Sequence, residues 1–460
     1  KISAMSDLNI VILAAGKGTR MRSDLPKVLH AVGGKPILHH VIDAARELSP
    51  KNIIVVYGFG GELVQQKTHG EDLQWVLQAE QLGTGHAVQQ ALPYLPDEGK
   101  TLILLGDVPL VDVDACRDML AQAHAHLVVQ TFIKEDPTGY GRIVRNAQNQ
   151  VIEIVEHKDA SEAQRLIQEV NTGIMAMPNA PLKHWLANIS NQNAQQEYYL
   201  TDIIALSVNE GRAVLPHVVH DAWSVTGINS KLDLQQIERE FQYRQATALM
   251  AQGVTLIDAQ RIDIRGKLTC GRDVRIDVNC VFEGEVTLED GVSIGPNCVI
   301  KNALISRDTT LSAFTHIDDA KVGQGSKIGP FARLRPGTQL AADTHVGNFV
   351  EIKNATIGLG SKVNHLSYVG DASVGAHVNI GAGTITCNYD GANKHQTVIE
   401  DDVFVGSDSQ LVAPVTIGKG ATIAAGSTIT KDVPADTLTL CRAREQRSIQ
   451  GWKRPQKVKK

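Results

Sequence analysis

Aromatic residues and membrane-spanning apolar runs are both scarce in this sequence. Phe, Trp and Tyr make up 4% of the 460 residues, whereas Gly occurs 40 times. This pairing favours a regular architecture of small residues over a mixed core. The sequence shows no signal peptide and no apolar run long enough to span a membrane. We therefore expect a cytoplasmic protein without a membrane partner.

A strong charge of one sign and metal-binding cysteine motifs are also lacking. The formal net charge is −5, which argues against a general nucleic-acid binder. None of the six Cys forms a C-x-x-C pair, so neither a zinc site nor a redox motif is expected. Free thiols in a reducing cytoplasm are the interpretation that fits this spacing.

Residues 5–230 alternate short apolar runs with helical patterns, which predicts an α/β domain. The runs NIVILAA, NIIVVYG, TLILLGD and LVVQTFI are nearly continuous, as in strands that are buried on both faces of a parallel sheet. ILHHVIDAARELS and GHAVQQALPYL carry helical spacing between them. The alternation predicts a doubly wound sheet, whose ligands bind beyond the carboxyl ends of the strands. Gly16 and Asp107 both follow a strand at that end.

The loop LAAGKGTRM, at positions 13–21, has the glycines of a phosphate loop. It matches neither the P-loop pattern nor the dinucleotide fingerprint, in which a third Gly would stand at Met21. Gly16 and Gly18 would nevertheless let phosphate oxygens approach the backbone closely. The residues alone therefore predict a phosphate site and leave its ligand open.

The period of the sequence changes in its second half. Residues 231–253 have the spacing of a connecting helix that ends at Gly253. From about residue 262 onward, apolar residues recur at every sixth position. The first members of this series are Ile276, Phe282, Leu288, Ile294 and Ile300. This is the hexapeptide repeat of a β-helix, with three sides and about eighteen residues per coil. Residues 254–460 therefore form the second predicted domain. Its positions 276–434 have room for about eight coils, which would stack into a prism about 40 Å tall at about 4.8 Å per coil.

Residues eighteen positions apart should lie above one another in such a coil. Cys280 and Cys298 are then expected to stack as small packing residues. Arg335 and Lys353 would place two cations on one face, which is costly unless an anion such as a sugar phosphate lies between them. Two solvated charges that point outward are the alternative.

The repeat has one large break, TCNYDGANKHQTV at residues 386–398. A polar loop that interrupts a repeat usually lies on a functional face, and we expect a ligand contact here. A tolerated surface insertion is the other interpretation.

Both halves together resemble the bifunctional N-acetylglucosamine-1-phosphate uridyltransferase/glucosamine-1-phosphate acetyltransferases. The motifs that carry the resemblance run in order from near Met5 toward the basic tail: LAAGKGTRM, LPK, QAEQLGTGHA, GDVPL, PTGYGRI, EVNTGI, FARLRPG, HVGNFVEIK, NHLSYVGD and NIGAGTITCNYDGANK. The resemblance implies a left-handed β-helix and a homotrimer. It also implies two reactions in cell-envelope precursor synthesis. Glucosamine 1-phosphate is acetylated by acetyl-CoA, and UMP is then transferred from UTP, which gives UDP-N-acetylglucosamine and pyrophosphate.

The resemblance assigns the residues of a uridyltransferase site. The implied nucleotide contacts are Leu13, Ala14, Ala15, Gly16, Arg20, Lys27, Gln78, Gln81, Gly83 and Thr84. The implied contacts to N-acetylglucosamine phosphate are Gly141, Glu156, Asn171 and Asn229. Asp107 and Asn229 would bind Mg²⁺, for which oxygen ligands at a strand end are suited. A helix cap for Asp107 and a turn for Asn229 are the alternative roles.

The resemblance also assigns an acetyltransferase site. His365 would be the general base, and Glu351 could orient it or form an ion pair with it. The implied contacts to glucosamine 1-phosphate are Arg335, Lys353, Tyr368 and Asn379. The implied acetyl-CoA contacts are Ala382, Asn388, Tyr389, Ser407, Ala425 and Arg442. Direct transfer leaves no role for Cys387 as an acyl carrier, and the basic tail WKRPQKVKK would lie near a neighbouring subunit's acetyl site.

Two other functions compete with this hypothesis. One is a nucleotidyltransferase whose β-helix only binds regulators or joins subunits, and the other is a non-catalytic assembly subunit with the same folds. His365 and the loop at 386–398 favour an acetyltransferase over the first alternative. The set of Gly16, Lys27 and Asp107 disfavours the second.

Overall fold

A helix that spans Lys231–Ala251 contains the boundary between two parts of the chain. The computed structural model describes residues 7–58, 60–442, 445–446, 448 and 450–452. Within it, Phe241 ends the first compact unit and Gln242 begins the second. The helix coincides with the connecting segment predicted at 231–253. The finer domain limits of 5–230 and 254–460 stay a prediction.

The first unit alternates helices and strands. Its helices, with the connecting helix, are α1 (Ile37–Glu47), α2 (Glu62–Lys67), α3 (Thr84–Ala91), α4 (Val113–Gln122), α5 (Glu162–Arg165), α6 (Asn179–Leu186), α7 (Asp202–Asn209) and α8 (Lys231–Ala251). Its strands are β1 (Leu8–Ala14), β2 (Ala31–Val32), β3 (Lys35–Pro36), β4 (Asn52–Gly58), β5 (Leu73–Gln78), β6 (Lys100–Leu105), β7 (Leu127–Ile133), β8 (Arg142–Arg145), β9 (Val151–Val155), β10 (Glu169–Pro178) and β11 (Val214–Val219). Short 3-10 turns occur at Thr19–Met21, Lys27–Leu29, Leu92–Tyr94 and Ala222–Val225.

The central sheet has the order β11-β7-β10-β6-β1-β4-β5. Parallel pairing holds from β6 through β1 and β4 to β5, as the apolar runs predicted. Strand β10, however, lies antiparallel between β6 and β7, whereas LVVQTFI on β7 pairs in parallel with β11. The polar start of β10, Glu169-Val170-Asn171-Thr172, hides this strand from a search for continuous apolar runs.

Apolar side chains cover both faces of this sheet. On β1, Ile10 and Ile12 belong to one core cluster and Val11 belongs to another. Successive residues of a strand point to opposite faces, so a continuous apolar run is required where helices pack on both sides. The two clusters therefore confirm the doubly wound α/β fold.

The second unit is a parallel β-solenoid. Its first sheet contains β12 (Thr255–Leu256), β14 (Arg275–Ile276), β16 (Ser293–Ile294), β18 (Thr310–Leu311), β20 (Lys327–Ile328), β23 (His345–Asn348), β26 (Lys362–His365), β29 (Asn379–Ile380), β32 (Phe404–Val405), β35 (Thr422–Ile423) and β37 (Leu438–Thr439). Its second sheet contains β13 (Ile262–Cys270), β15 (Cys280–Leu288), β17 (Val299–Ile305), β19 (His316–Val322), β21 (Arg333–Leu334), β22 (Gln339–Leu340), β24 (Glu351–Lys353), β25 (Thr356–Ile357), β27 (Tyr368–Gly370), β28 (Ala372–Val374), β30 (Ile385–Cys387), β31 (Thr397–Ile399), β33 (Gln410–Val412), β34 (Val415–Ile417) and β36 (Thr428–Ile429).

Each coil stacks on the previous one through parallel backbone pairing. The aliphatic residue of one coil lies over that of the next, as in Leu334 over Ile352 and Ile352 over Val369. All three side chains are buried, which confirms the hexapeptide interpretation. Cys280 and Cys298 are also buried and hold equivalent positions in neighbouring coils, as predicted. The left-handed sense of the coil stays a prediction.

The predicted break is a loop that leaves the stack intact on both sides. Tyr389 and Lys394 form an isolated antiparallel bridge across it. The coil resumes directly afterwards, because Val374 pairs with Ile399. The loop is therefore an excursion from one corner and not a disruption of the solenoid.

We predict that truncation of an inward side chain destabilises the solenoid. Ile352 is 0% exposed, so Ile352→Ala should lower the free energy of unfolding by about 2–5 kcal/mol, the usual cost of removing a buried aliphatic side chain. Denaturant unfolding of the two proteins measures the difference. The control is Leu359→Ala, because Leu359 is 45% exposed. Equal losses in the two variants would contradict the inward orientation of the repeat.

Candidate functional site

A cavity of ≈540 Å³ opens where β1, β5 and β6 end in the first unit. Parallel strands bring their carboxyl ends to one edge, and the loops that follow them supply the walls. The lining residues are Leu13, Ala14, Ala15, Gly16, Lys17, Lys27, Val28, Gln78, Gln81, Gly83, Thr84, Ala87, Leu105, Asp107 and Glu197. The structure thus brings together all the predicted nucleotide residues except Arg20, which lies on the same loop but outside this lining.

The two glycines of the loop have different structural roles. A Cβ at Gly16 would meet no atom within 4 Å, so its backbone faces open space where a ligand can approach. Gly18 has a φ of +61°, and a Cβ there would lie 2.8 Å from Lys27 Cβ. A side chain at position 18 would therefore displace Lys27, and glycine is required for both conformation and space.

Lys27 joins the two predicted metal ligands. Its Nζ lies 2.7 Å from Asp107 Oδ2 and 3.1 Å from Asn229 Oδ1. The main chain of both residues is held in place, since Ile228 N donates to the carbonyl of Asp107 and Asp233 accepts a hydrogen bond from Asn229 N. Residues from three separate parts of the sequence therefore converge on one point of the cavity.

The oxygens of Asp107 and Asn229 fit a magnesium ion. Mg²⁺ is usually held by one or two protein oxygens, with substrate phosphates and water completing its octahedron. In the described part of the chain, no group of three or more His, Cys, Asp or Glu residues could hold a metal by itself. A bound ion here would thus depend on a phosphate ligand as well as on the protein.

Gln78 and Gln81, two of the predicted nucleotide contacts, are already oriented by the protein. Gln78 Nε2 donates to the carbonyl of Gly83 at 3.2 Å and lies 3.0 Å from His86 Nδ1. Gln81 Nε2 donates to the carbonyl of Ala15. His86 stands in the motif GTGHA, yet its contact with Gln78 could not be inferred, because it depends on how α3 packs against β5.

Three of the predicted sugar residues, Gly141, Glu156 and Asn171, lie close together. Asn171 N donates to the carbonyl of Gly141 at 2.9 Å, and Glu156 Oε1 accepts from Thr201 Oγ1 at 3.0 Å. Burial raises the pKa of Glu156, and the charges of Asp159 and Glu197 act in the same direction. Sequence reasoning missed Thr201.

Asp202 adds a further carboxyl to this region. Burial raises the pKa of Asp202 to about 6, with help from the charges of Glu156 and Asp159. Sequence reasoning missed this group as well, since Asp202 reads as an ordinary first-turn residue of α7.

In the second unit, Arg335 and Lys353 follow paired strands on the same face. Leu334 pairs with Ile352, and Arg335 N donates to the carbonyl of Ile352 at 2.8 Å. The predicted stacking is therefore confirmed. Each cation also has a carboxylate neighbour, because Arg335 Nη1 lies 3.3 Å from Glu351 Oε1 and Lys353 Nζ lies 3.3 Å from Asp371 Oδ1.

Lys394, from the polar loop, completes this cation cluster. The Lys353 ammonium lies close enough to lower the pKa of Lys394, and the charge of Arg335 acts in the same direction. Three cations thus face two carboxylates, Glu351 and Asp371, and an excess of positive charge is left for an anionic ligand. Lys394 was visible in the motif but could not be assigned a partner, because the loop breaks the repeat.

The Asp371 carboxylate connects several of the predicted substrate residues through polar contacts. Asn388 Nδ2 donates to Asp371 Oδ2 at 2.6 Å and to Tyr368 OH at 3.2 Å. Lys353, Tyr368 and Asn388 therefore form one network, whose central carboxylate sequence reasoning missed. Tyr389 projects from the same loop and is 60% exposed.

His365 lies in a separate column of small residues. Backbone hydrogen bonds link successive coils along it, from Gly383 N to His365 O at 3.2 Å, from Asp408 N to Ala382 O at 2.7 Å and from Gly426 N to Ser407 O at 2.8 Å. The column therefore runs through His365, Ala382, Ser407 and Ala425. Arg442 lies near its end, since its Cδ is 3.7 Å from the Cβ position of Gly426.

The partner of His365 differs from the one expected. Its Nδ1 lies 3.3 Å from Asn348 Oδ1, whereas Glu351 forms ion pairs with Arg333 and Arg335. Glu351 therefore serves the cation cluster in this structure. An amide oxygen accepts only, so a hydrogen bond with Asn348 Oδ1 requires Nδ1 to be the donor and leaves Nε2 as the ring nitrogen that can accept.

Two further predictions stay untested. Asn379 lies in the sheet that contains the strand of His365, where it pairs with Lys362 and Phe404, away from the strand before Arg335 and the strand of Lys353. The basic tail from residue 453 onward lies outside the described residues.

Comparisons with known proteins agree with both halves of this description. Residues 10–172 match the MobA-like NTP transferase domain, residues 264–357 match the GMPPB C-terminal domain and residues 396–431 match the bacterial transferase hexapeptide (six repeats). These matches support a nucleotidyltransferase domain that is followed by a hexapeptide solenoid.

Full-length relatives share this arrangement. The bifunctional protein GlmU of Methylobacillus flagellatus is 64% identical over 455 residues, which cover 99% of each chain. The GlmU proteins of Nitrosospira multiformis and Pseudomonas putida are each 57% identical, and the alignments cover 99% and 98% of this chain and 99% of each relative. The chain belongs to the GlmU family. This confirms the resemblance found in the motifs.

Among the described residues of this GlmU-family chain, no helix combines the length and apolarity that a membrane crossing requires.

We predict a pH-dependent effect of Asp202→Asn on stability. The folded protein holds a proton on Asp202 up to about pH 6, whereas the ordinary pKa is 3.8. The folded state therefore binds more protons between these values, and this contribution to stability is lost as the pH rises through 6. The variant should thus gain stability relative to the parent between pH 4.5 and pH 7.5.

Denaturant unfolding at the two pH values measures this change. Asp118→Asn, which removes an exposed carboxylate from α4, is the matched control. A difference between variant and parent that stays constant, or that falls as the pH rises, would contradict the buried position of Asp202.

Proposed function

We propose that this chain makes UDP-N-acetylglucosamine by two successive reactions. The solenoid acetylates glucosamine 1-phosphate with acetyl-CoA, and the α/β unit transfers UMP from UTP to the product, releasing pyrophosphate. UTP and acetyl-CoA are cytoplasmic metabolites, and we assign the reactions to that compartment.

The observation that carries this proposal is the presence of two chemically different sites in two separate units. One combines a glycine-rich loop with Lys27, Asp107 and Asn229 at a strand edge. The other unit carries His365, whose Nδ1 contacts Asn348 Oδ1, and a cluster of cations. A solenoid that only joined subunits would need neither His365 nor the cation cluster, so the purely structural alternative is not favoured.

In uridyl transfer, the sugar phosphate oxygen attacks the α-phosphorus of UTP in line with the departing pyrophosphate. No protein nucleophile is needed, so the protein contributes position and charge. The open backbone at Gly16 accepts the phosphates, Gln78 and Gln81 bind the base, and Glu156 and Asn171 bind the sugar. Lys27 neutralises phosphate charge.

Asp107 and Asn229 would hold Mg²⁺ in this reaction. The ion supplies charge neutralisation and a template for the phosphates when it is bound. Its identity rests here on the donor set and on the family.

In acetyl transfer, the amine of the sugar attacks the thioester carbonyl and CoA departs as a thiol. The amine must lose a proton, which His365 Nε2 can accept because Nδ1 is engaged by Asn348 Oδ1. The cation cluster of Arg335, Lys353 and Lys394 binds the sugar phosphate. Ala382, Ser407 and Ala425 leave a groove for the pantetheine arm, and Arg442 reaches the CoA phosphates.

Reciprocal variants should separate the two activities. Asp107→Asn is expected to lower uridyl transfer about 100-fold or more, because several kcal/mol of charge stabilisation depend on the metal. His365→Ala is expected to lower acetyl transfer by about 10²- to 10⁴-fold, the usual contribution of a general base. Pyrophosphate release and thiol release measure the two reactions on the same protein preparation.

Each variant is the control for the other. Asp107→Asn should keep acetyl transfer, and His365→Ala should keep uridyl transfer when N-acetylglucosamine 1-phosphate is supplied. Parallel loss of both activities in either variant would contradict two separate sites.

We also propose a homotrimer that is assembled through an aromatic ridge on the solenoid. The ridge consists of Phe314, Phe331, Phe349 and Leu366, which occupy one corner of successive coils and are 47% to 61% exposed. The phenyl rings stack at centroid distances of 4.9 and 5.3 Å. Exposed apolar surface of this continuity is typical of an interaction site.

The backbone conformation at the ridge is further support for a functional role of these residues. All four residues have φ values between +44° and +60°, where bulky side chains cost about 1–3 kcal/mol each. Leu366 follows His365 and Phe349 follows Asn348, so association through the ridge would bring another copy next to the proposed base.

Phe331→Asp should therefore disrupt assembly. A charge in the middle of the ridge would be desolvated in the interface, and the mass in solution should fall from about three times 49.7 kDa toward that of one chain. Light scattering coupled to size exclusion measures the mass. Leu359→Asp, at another exposed apolar position of the solenoid, is the matched control, and an unchanged mass for Phe331→Asp would contradict the ridge as the interface.

A further inference from the structure

We propose that Lys27 is a placeholder cation that makes metal binding by this enzyme depend on the nucleotide. In this proposal, the ammonium occupies the metal position as long as no triphosphate is present. When a triphosphate binds, its phosphates attract the ammonium away from this position, and the divalent ion enters with the phosphates. The inference rests on the proposed function, because that function assigns the oxygens of Asp107 and Asn229 to a metal.

The contacts of Lys27 carry the proposal. Its Nζ binds Asp107 Oδ2 at 2.7 Å and Asn229 Oδ1 at 3.1 Å, so one cation already satisfies both predicted ligands. The Lys27 side chain is 10% exposed and that of Asp107 is 23% exposed. Solvent therefore screens this pair less than it would screen an ion pair on the surface.

The main chain at Asp107 and Asn229 is held by hydrogen bonds, whereas the Lys27 ammonium can move. The backbone of Asp107 binds Ile228 N at 2.9 Å, and Asp233 Oδ2 accepts from both Asn229 N and Ser230 N at 2.9 and 2.8 Å. Lys27 reaches the oxygens through four rotatable bonds, with its stem against Gly18. A change of partner therefore needs a rotamer change of Lys27 and no movement of the backbone.

A divalent ion and the ammonium cannot share these oxygens. Mg²⁺ binds oxygen at about 2.1 Å, and two cations held by the same oxygen pair would repel strongly in a site that is largely shielded from water. Metal binding to the free enzyme therefore has to move Lys27 away from Asp107, and Glu197 supplies the other carboxylate among the lining residues of the cavity. A nucleotide removes this cost, because its phosphates bind along the same loop and accept the ammonium.

Binding of Mn²⁺ without nucleotide tests the proposal. Electron paramagnetic resonance of free Mn²⁺ gives the dissociation constant for the full-length protein, so the measurement does not depend on catalysis. We expect Lys27→Met to bind Mn²⁺ at least tenfold more tightly than the parent. Lys27→Gln, a second neutral variant, should show the same gain if Lys27→Met folds poorly.

Two controls separate this effect from general electrostatics. Lys17 is an exposed residue that lines the same cavity, so Lys17→Met removes one positive charge without changing the contacts of Asp107. It should alter Mn²⁺ binding less than twofold. The double change of Lys27→Met with Asp107→Asn should abolish the tight binding, because it removes the ligand itself.

The possible results are distinct. Equal Mn²⁺ affinity in the parent and in both Lys27 variants, or an equal gain in Lys17→Met, would overturn the placeholder role. The proposed function is tested separately, by UDP-sugar formation in the parent protein with UTP and Mg²⁺. An active parent with no gain in the Lys27 variants would refute the placeholder alone, whereas an inactive parent would refute the function.

Discussion

Parallel strand pairing is the constraint on which both units depend. In the α/β unit it brings the ends of β1, β5 and β6 to one edge, and the loops after them close around a cavity. In the solenoid it places residues of successive coils directly above one another. Functional side chains that are seventeen or eighteen positions apart in the sequence therefore line up in a column. The same backbone rule thus produces a pocket in one unit and an extended groove in the other.

Electrostatics then distinguishes the two proposed sites. In the cavity, a single ammonium bridges two side-chain oxygens, one from Asp107 and one from Asn229. On the solenoid, three cations are partly balanced by Glu351 and Asp371. Both arrangements are suited to phosphate, but the first leaves room for a divalent ion and the second does not need one. This difference matches a phosphoryl reaction in one unit and an acyl reaction in the other.

Most of the fold could be predicted from the periodicity of apolar residues alone, because buried strands and a six-residue repeat both produce regular apolar patterns in the sequence. The exception is β10, which pairs antiparallel with β6 and β7. The polar residues in its first half do not form the apolar run from which a buried strand is predicted. The stacking of Arg335 over Lys353 and of Cys280 over Cys298 followed from coil length. These predictions needed no information beyond the spacing.

Contacts between distant segments were not accessible in this way. The bridge from Lys27 to Asn229 joins residues 202 positions apart, and the partner of His365 proved to be Asn348 instead of Glu351. Asp371 was missed because it is a corner residue, and Lys394 could not be assigned a partner because it lies where the repeat stops. Side-chain partners depend on rotamers and on the paths of loops, and no periodic pattern in the sequence reveals either of them.

The excursion at 388–396 also bears on how such an enzyme can change over evolutionary time. Val374 and Ile399 pair across it as though it were absent, so stacking places no demand on its length or composition. Substitution of Tyr389, Lys394 or their neighbours during evolution, or extension of the loop, would leave the stacking of the solenoid coils intact. The acceptor specificity of such enzymes is therefore free to diverge while their scaffold is held constant.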